Sequence, residues 1–262
     1  MISIDLRTMG IVLFVVHLLQ VFLFTHLYVT NRSMREVKWW LFWSLSGLLS
    51  FFLISVRDIL GEPLIIVILQ NFAMVSGAVF IYIGVLRFFS LKRNMKMILL
   101  SLIIYAAALI TFTIFWKNVR IHTSITNIYL SVYAVITAVI LIKNRASEKS
   151  NALLLIFYAF LFHGLVFGLR ALLVAIGVMD RQDFFSSDPV NILTFIDGII
   201  TSILWTFGFI LLINQRVNQK FKESLKHFET IFNTSPDITT LTNMQTGRLV
   251  NVNQYFTSIV GY

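Results

Sequence analysis

The sequence predicts an all-α membrane protein: seven transmembrane helices, then a juxtamembrane helix, then a short α+β stretch at the C-terminal end. Three observations carry that expectation. Seven apolar runs of roughly 18 to 26 residues are each long enough to cross a bilayer core. Hydrophobic residues make up 58% of the chain and charged ones 13%, about half the share usual in soluble domains. Beyond Ile213 the chain turns polar, keeps a helical apolar period, and then changes to strand-like runs separated by a Gly turn. The expected units are 1–213, the seven-helix module; 214–232, the juxtamembrane helix; and 233–262, the α+β segment.

The runs fall at Met9–Thr30, Trp39–Val56, Pro63–Phe88, Met97–Trp116, Ser124–Ile142, Ala152–Gly177 and Ile192–Ile213. The first reads as a retained span. It is too long for a signal peptide, Asp5 accompanies Arg7 ahead of it, and no small-residue cleavage site follows. Alternate loops differ in charge. Arg32, Arg35, Lys38, Lys92, Arg93, Lys96, Lys143, Arg145 and Lys149 share one side with Glu36 and Glu148. The other side holds Arg7, Arg57, Lys117, Arg120 and Arg181 with Asp5, Asp58, Glu62, Asp180, Asp183 and Asp188. Base-rich loops stay in the cytoplasm, so the N-terminus is expected outside and the C-terminal tail with Lys220, Lys222 and Lys226 inside. The longest outer loop, Val178 to Val190, has 13 residues, too few for an extracellular domain.

The net charge of +9 sits in short loops beside apolar spans, which argues for membrane orientation and against a nucleic-acid partner; the expected partner is the lipid bilayer. Cysteine is absent, so thiolate chemistry and Cys-held metals are excluded. The chain shows no phosphate-binding Gly loop, HExxH, GxSxG or paired catalytic carboxylates, so no enzymatic activity is expected of it.

Polar residues inside the spans need a reason, because a charge at a helix centre costs about 2.5–3.5 kcal/mol on insertion scales. Arg170 lies about 10 Å inside the outer end of the sixth span, and Asp197 reaches a similar depth in the seventh. A short loop joins those spans, so an intramembrane ion pair between Arg170 and Asp197 is expected. His163 stands one heptad before Arg170 on the same face. His17, Gln70, Asn71, Asn127 and His163 fall in or near the outer half and form a candidate polar pocket for a small-molecule ligand or protons. Hydrogen-bonding glue between helices explains the same residues. A haem or metal site through His17, His26 or His163 is a third reading, and no cofactor is assigned. The seventh span has no lysine, which rules out a retinal Schiff base.

Past the seventh span, Val217, Phe221, Leu225, Phe228 and Phe232 form one stripe on a continuous helix. The stripe either joins two copies in a parallel homodimer or packs on the following segment or the membrane surface. Ile238 to Asn243 and Arg248 to Val252 read as strands around a turn at Gly247, and Asn253 as the cap of a helix starting at Gln254.

Ser235, Pro236, Asp237, Gly247, Asn253, Phe256, Gly261 and Tyr262 stand in the order and spacing of the opening of a PAS domain, which this segment resembles. The likeness covers about the last 35 residues, and the chain is expected to continue into the rest of such a domain. Trp39, Trp40, Gly47, Arg57, Pro63, Asn71, Gly84 and Arg87 give the second and third spans a likeness to membrane regions of bacterial GGDEF diguanylate cyclases and sensor histidine kinases. Together these resemblances imply the input half of a bacterial inner-membrane signalling protein whose output domain lies beyond Tyr262. A small transporter or channel, or a passive anchor for a cytoplasmic enzyme, are the rival readings.

Overall fold

Inside a bilayer no water is available for backbone groups, so a single apolar run can satisfy its own N–H and C=O groups only as a helix. In the computed structural model, which describes residues 5–57, 59–61, 63–116, 119–147, 150–177 and 188–261, each apolar run does so. The loop residues Asp58, Glu62, Lys117, Glu148, Lys149, Asp180, Arg181 and Asp183 of the charge comparison lie outside the described residues.

The helices are α1 (Leu6–Thr30), α2 (Val37–Arg57), α3 (Leu64–Phe88), α4 (Met95–Ile110), α5 (Val119–Lys143), α6 (Asn151–Ala175) and α7 (Pro189–Thr234). All seven are long and apolar enough to cross a membrane, α4 together with a π-helical turn over Thr111–Phe115 that extends it. The chain is therefore a multi-pass membrane protein. Starts are capped where the sequence offers an acceptor. Asp5 receives Arg7 N–H at 3.1 Å, and Asn94 receives Met97 N–H at 3.2 Å. Helix α5 begins five residues before the Ser124 expected for it, so that His122 lies within the helix rather than in a loop.

Two compact units divide the chain, Met1–Phe209 and Ile210–Tyr262, with the boundary inside α7. In the first, α5 lies chiefly against α6, α2 against α1 and α3, and α3 also against α5. Glycine lets two of these contacts close. A Cβ at Gly47 would run into the His17 ring, and one at Gly84 into the Trp40 indole. The first part of α7 packs on α2 through a stack of Phe209 on Trp40 at 4.1 Å and on α1 through a hydrogen bond from Gln20 Nε2 to Ser202 O at 3.1 Å. Val75, Tyr105, Leu109, Leu130 and Phe167 form one buried cluster, and Leu6, Leu13 and Phe195 another. Leu19, Phe22, Leu165 and Phe207 are more than half exposed, as side chains facing acyl chains would be.

In the second unit the rest of α7 precedes an antiparallel hairpin of β1 (Thr240–Thr242) and β2 (Leu249–Val252), then α8 (Gln254–Val260). The strands register Thr240 with Val252 and Leu241 with Asn251. Gly247 in the turn and Gly261 after α8 take φ of 67° and 77°, the left-handed region that a Cβ would strain. The final helix starts at the expected Gln254 and β2 covers all but the first residue expected of it, whereas β1 is only the Thr240–Thr242 part of the run expected from Ile238 to Asn243.

Candidate functional site

A cavity of about 200 Å³ lies within the first unit, walled by α1, α2, α3, α5, α6 and α7. His17, Gln70, Asn71, Asn127 and His163, the pocket candidates, all reach this one wall, as does Arg170. Their helices explain the meeting. Gln70 and Asn127 sit in the first third of α3 and α5, and Arg170 near the end of α6, so antiparallel helices bring them toward one end. His17 lies midway along α1, stacked on Phe51 at 5.3 Å and edge-on to Trp43 at 5.8 Å.

Below the polar end the wall is aromatic. Trp43 meets Trp205 edge-on at 5.9 Å, and Trp205 stacks on Phe160 at 4.3 Å and touches the His163 ring at 4.9 Å. Imidazole and indole rings thus run without a break from His17 on α1 to His163 on α6.

The expected Arg170–Asp197 ion pair is not the contact the structure makes. Asp197 Oδ2 lies 2.6 Å from His163 Nδ1 instead, and Arg170 Nη2 donates to Asn191 Oδ1 at 3.3 Å. Depth alone could not choose between the two partners. Counted from the helix ends at Ala175 and Pro189, Asp197 lies about 12 Å in, between Arg170 at about 8 Å and His163 at about 18 Å. Rotation of α6 and α7 decides for His163. The carboxylate is 1% exposed and does not itself line the cavity, so it holds Nδ1 from behind while the imidazole faces the wall. Thr201 Oγ1 is 3.4 Å from the same Nδ1, and it donates to Asp197 O at 2.7 Å.

Several wall residues were not among the pocket candidates read from the sequence. Arg57 ends α2, and His122, Ser50 and Thr126 complete the polar part. Polar atoms on the wall that have no hydrogen-bond partner among the described residues include His17 Nδ1, Gln70 Oε1, His122 Nδ1 and Asn127 Nδ2, and Trp205 Nε1 at the aromatic end. The first four of these residues are 3%, 2%, 8% and 2% exposed, so no bulk water meets them. Buried polar atoms in that state are costly unless something in the cavity bonds to them. Asn71 differs, its Nδ2 returning to Val67 O of its own helix at 2.8 Å. Gln20 is interhelical glue through Ser202, as above. His26 is not part of the cavity, and no group of three or more His, Asp or Glu side chains among the described residues could hold a metal.

In the second unit, Phe221, Leu225 and Phe228 are 68%, 47% and 47% exposed, and Val217 is 37% exposed, whereas Phe232 is buried and stacks on Phe228 at 5.7 Å. Most of the stripe therefore has no partner within the unit. Asn253, fully buried, gathers the segment around itself. Its Nδ2 donates to Asp237 O at 2.8 Å and Ser235 O at 3.4 Å, and its Oδ1 accepts from Thr239 N and Phe256 N, both at 3.1 Å. One side chain ties the turn around Pro236 to β1 and to the cap of α8. Compared with protein-family models, curated proteins and solved structures, the chain matches none.

Proposed function

We propose that the chain is the input part of a transmembrane signalling protein, in which the state of the cavity is passed along α7 to the segment that follows it. The continuity of α7 carries this reading. Thr194, Thr201 and Trp205 of that helix wall the cavity, and the same helix runs without a break to Thr234. Its 46 residues are more than twice the roughly 20 that cross a bilayer core. In this reading the C-terminal unit is the beginning of a cytoplasmic PAS domain, the N-terminus lies outside a bacterial inner membrane, and the exposed stripe from Val217 to Phe228 meets its counterpart on a second copy. The output, a diguanylate cyclase or histidine kinase, would lie in further chain.

The chain has no cysteine, so single cysteines report cleanly. Cysteines placed at Phe221, Leu225 and Phe228 should react with an impermeant thiol reagent only from the cytoplasmic side and cross-link between copies. Ala78→Phe, which fills the cavity from α3, should change those cross-linking rates several-fold. Unchanged rates in a folded Ala78→Phe variant would refute transmission along α7.

A further inference from the structure

We propose that the corner between the start of α2, the end of α3 and the turn into α4 binds the phosphate of an anionic phospholipid. Arg87 and Arg93 take the headgroup, and Trp39, Phe42 and Phe80 take the top of an acyl chain. Neither arginine nor Trp39 lines the cavity, so this is a second site.

The end of α3 sets the corner. Ser90 takes a left-handed φ of 55°, and the N–H groups of Ser90 and Leu91 close back on Arg87 O at 3.0 Å and Leu86 O at 2.9 Å. Beyond that closed turn, the Arg93 guanidinium lies over the Trp39 ring, 5.9 Å from its centre. Ile83 of α3 and Ile98 of α4 share one buried cluster, and Trp39 packs against it. Arg87 stands one turn beyond Ile83 on the same face of α3, and Arg93 comes just ahead of the first turn of α4. Both arginines therefore reach the same level, just past that cluster.

Hydrogen bonding then selects the occupant. Arg87 Nε and Arg93 Nη1 are buried and have no hydrogen-bond partner among the described residues, and no described acid pairs with either side chain. A buried guanidinium N–H without an acceptor is costly, and its planar fork suits a pair of phosphate oxygens. Lys38, its Nζ 5.5 Å from the centre of the Phe42 ring, adds a third cation at the start of α2. A zwitterionic lipid would bring its own cation to this corner, whereas an anionic one does not. The floor inward of the cations is apolar. Trp39, Phe42 and Phe80 form a triangle with ring centres 5.6 to 6.0 Å apart, and all three are only half-buried. Phe80 lies two turns inward of Arg87, about 10 Å, where an acyl chain hangs below its phosphate. Free phosphate would leave those rings uncovered.

The test adds phosphatidylglycerol, phosphatidylcholine or inorganic phosphate to the purified full chain in a neutral detergent. Native mass spectrometry follows bound lipid, and thermal unfolding follows stability. Phosphatidylglycerol should bind saturably, raise the stability, and exceed phosphatidylcholine in affinity by about tenfold or more, the worth of one hydrogen bond to a charged group. Arg87→Gln and Arg93→Gln should each weaken phosphatidylglycerol about tenfold and lose its stability gain. Arg32→Gln removes an exposed charge from the neighbouring turn between α1 and α2 and should change neither. Should Arg87→Gln fail to fold, Arg87→Lys takes its place, because a point charge cannot reproduce the guanidinium fork. Equal binding of phosphatidylcholine, an equal loss in Arg32→Gln, or a stability gain that survives both arginine substitutions would overturn the proposal. A matching gain from inorganic phosphate would assign the corner to a free anion and overturn the lipid assignment.

Discussion

The His163–Asp197 contact makes the sharpest quantitative prediction. Asp197 is 1% exposed and its Oδ2 has the 2.6 Å contact with His163 Nδ1, while its Oδ1 has no partner among the described residues. His163→Phe keeps a ring of similar volume beside Trp205 and removes that contact, with the longer approach of Thr201 Oγ1 to the same Nδ1. A hydrogen bond to a charged group is worth about 1.5–3 kcal/mol net, against an average near 0.6 kcal/mol for ordinary interhelical bonds in membranes. A double-mutant cycle of His163→Phe and Asp197→Asn should therefore show a coupling of about 1.5–3 kcal/mol, at least a tenfold change in the unfolding equilibrium. The cycle of Arg170→Gln with Asp197→Asn should show less than about 1 kcal/mol, because Arg170 bonds Asn191 and not Asp197. Equilibrium unfolding in mixed micelles, titrated with a denaturing detergent, measures all the variants. Additive losses for His163 and Asp197, or a larger coupling between Arg170 and Asp197, would show that the helices are rotated otherwise.

Gly47→Ala should destabilise the chain by about 1–3 kcal/mol, since the new Cβ meets the His17 ring, and His17→Ala should recover most of that loss in the same unfolding assay. Asn253→Ala removes four hydrogen bonds, one of them the N-cap of α8, a loss of about 2–4 kcal/mol that hydrogen exchange should register as reduced protection over residues 239–257 with no change in α1–α6.

Period and punctuation made the helices, the hairpin and the Asn253 cap legible in the sequence, because these depend on neighbours in the chain. The stripe on α7 was visible for the same reason. His122 escaped because Lys117 and Arg120 lower the local hydropathy and make the start of α5 look like loop. Long basic side chains at a helix end can reach toward the interface and leave the backbone inside the span. The pocket residues were found by their cost, since each is a polar group in an apolar run. Which of them touch was not legible. Depth follows from counting residues, but the rotation of a helix about its axis follows from packing against neighbours. Nothing local to α6 or α7 encodes whether Asp197 turns to Arg170 or to His163. The Gly47–His17 approach has the same character, since a glycine in an apolar run does not say which ring it admits.

That rotation has a consequence for how a signal could travel. With Asp197 bound to His163, α7 is tied to α6 about 12 Å inside its start, and Trp205 ties it again two turns later to Phe160 and His163. The His163 ring takes part in both ties, beside Phe160 in the second, and it also lines the cavity. An occupant that turns this ring must disturb the Asp197 hydrogen bond and the Trp205 edge contact together, two points two turns apart on one helix. Moving two such points of a stiff rod shifts or rotates it; moving one would only bend it. Coupling through His163 therefore favours a rigid motion of the first part of α7. His163→Phe should accordingly abolish the effect of Ala78→Phe on cross-linking at Phe221 and Phe228, even where the variant remains folded. A response that persists without His163 would place the coupling elsewhere on the wall.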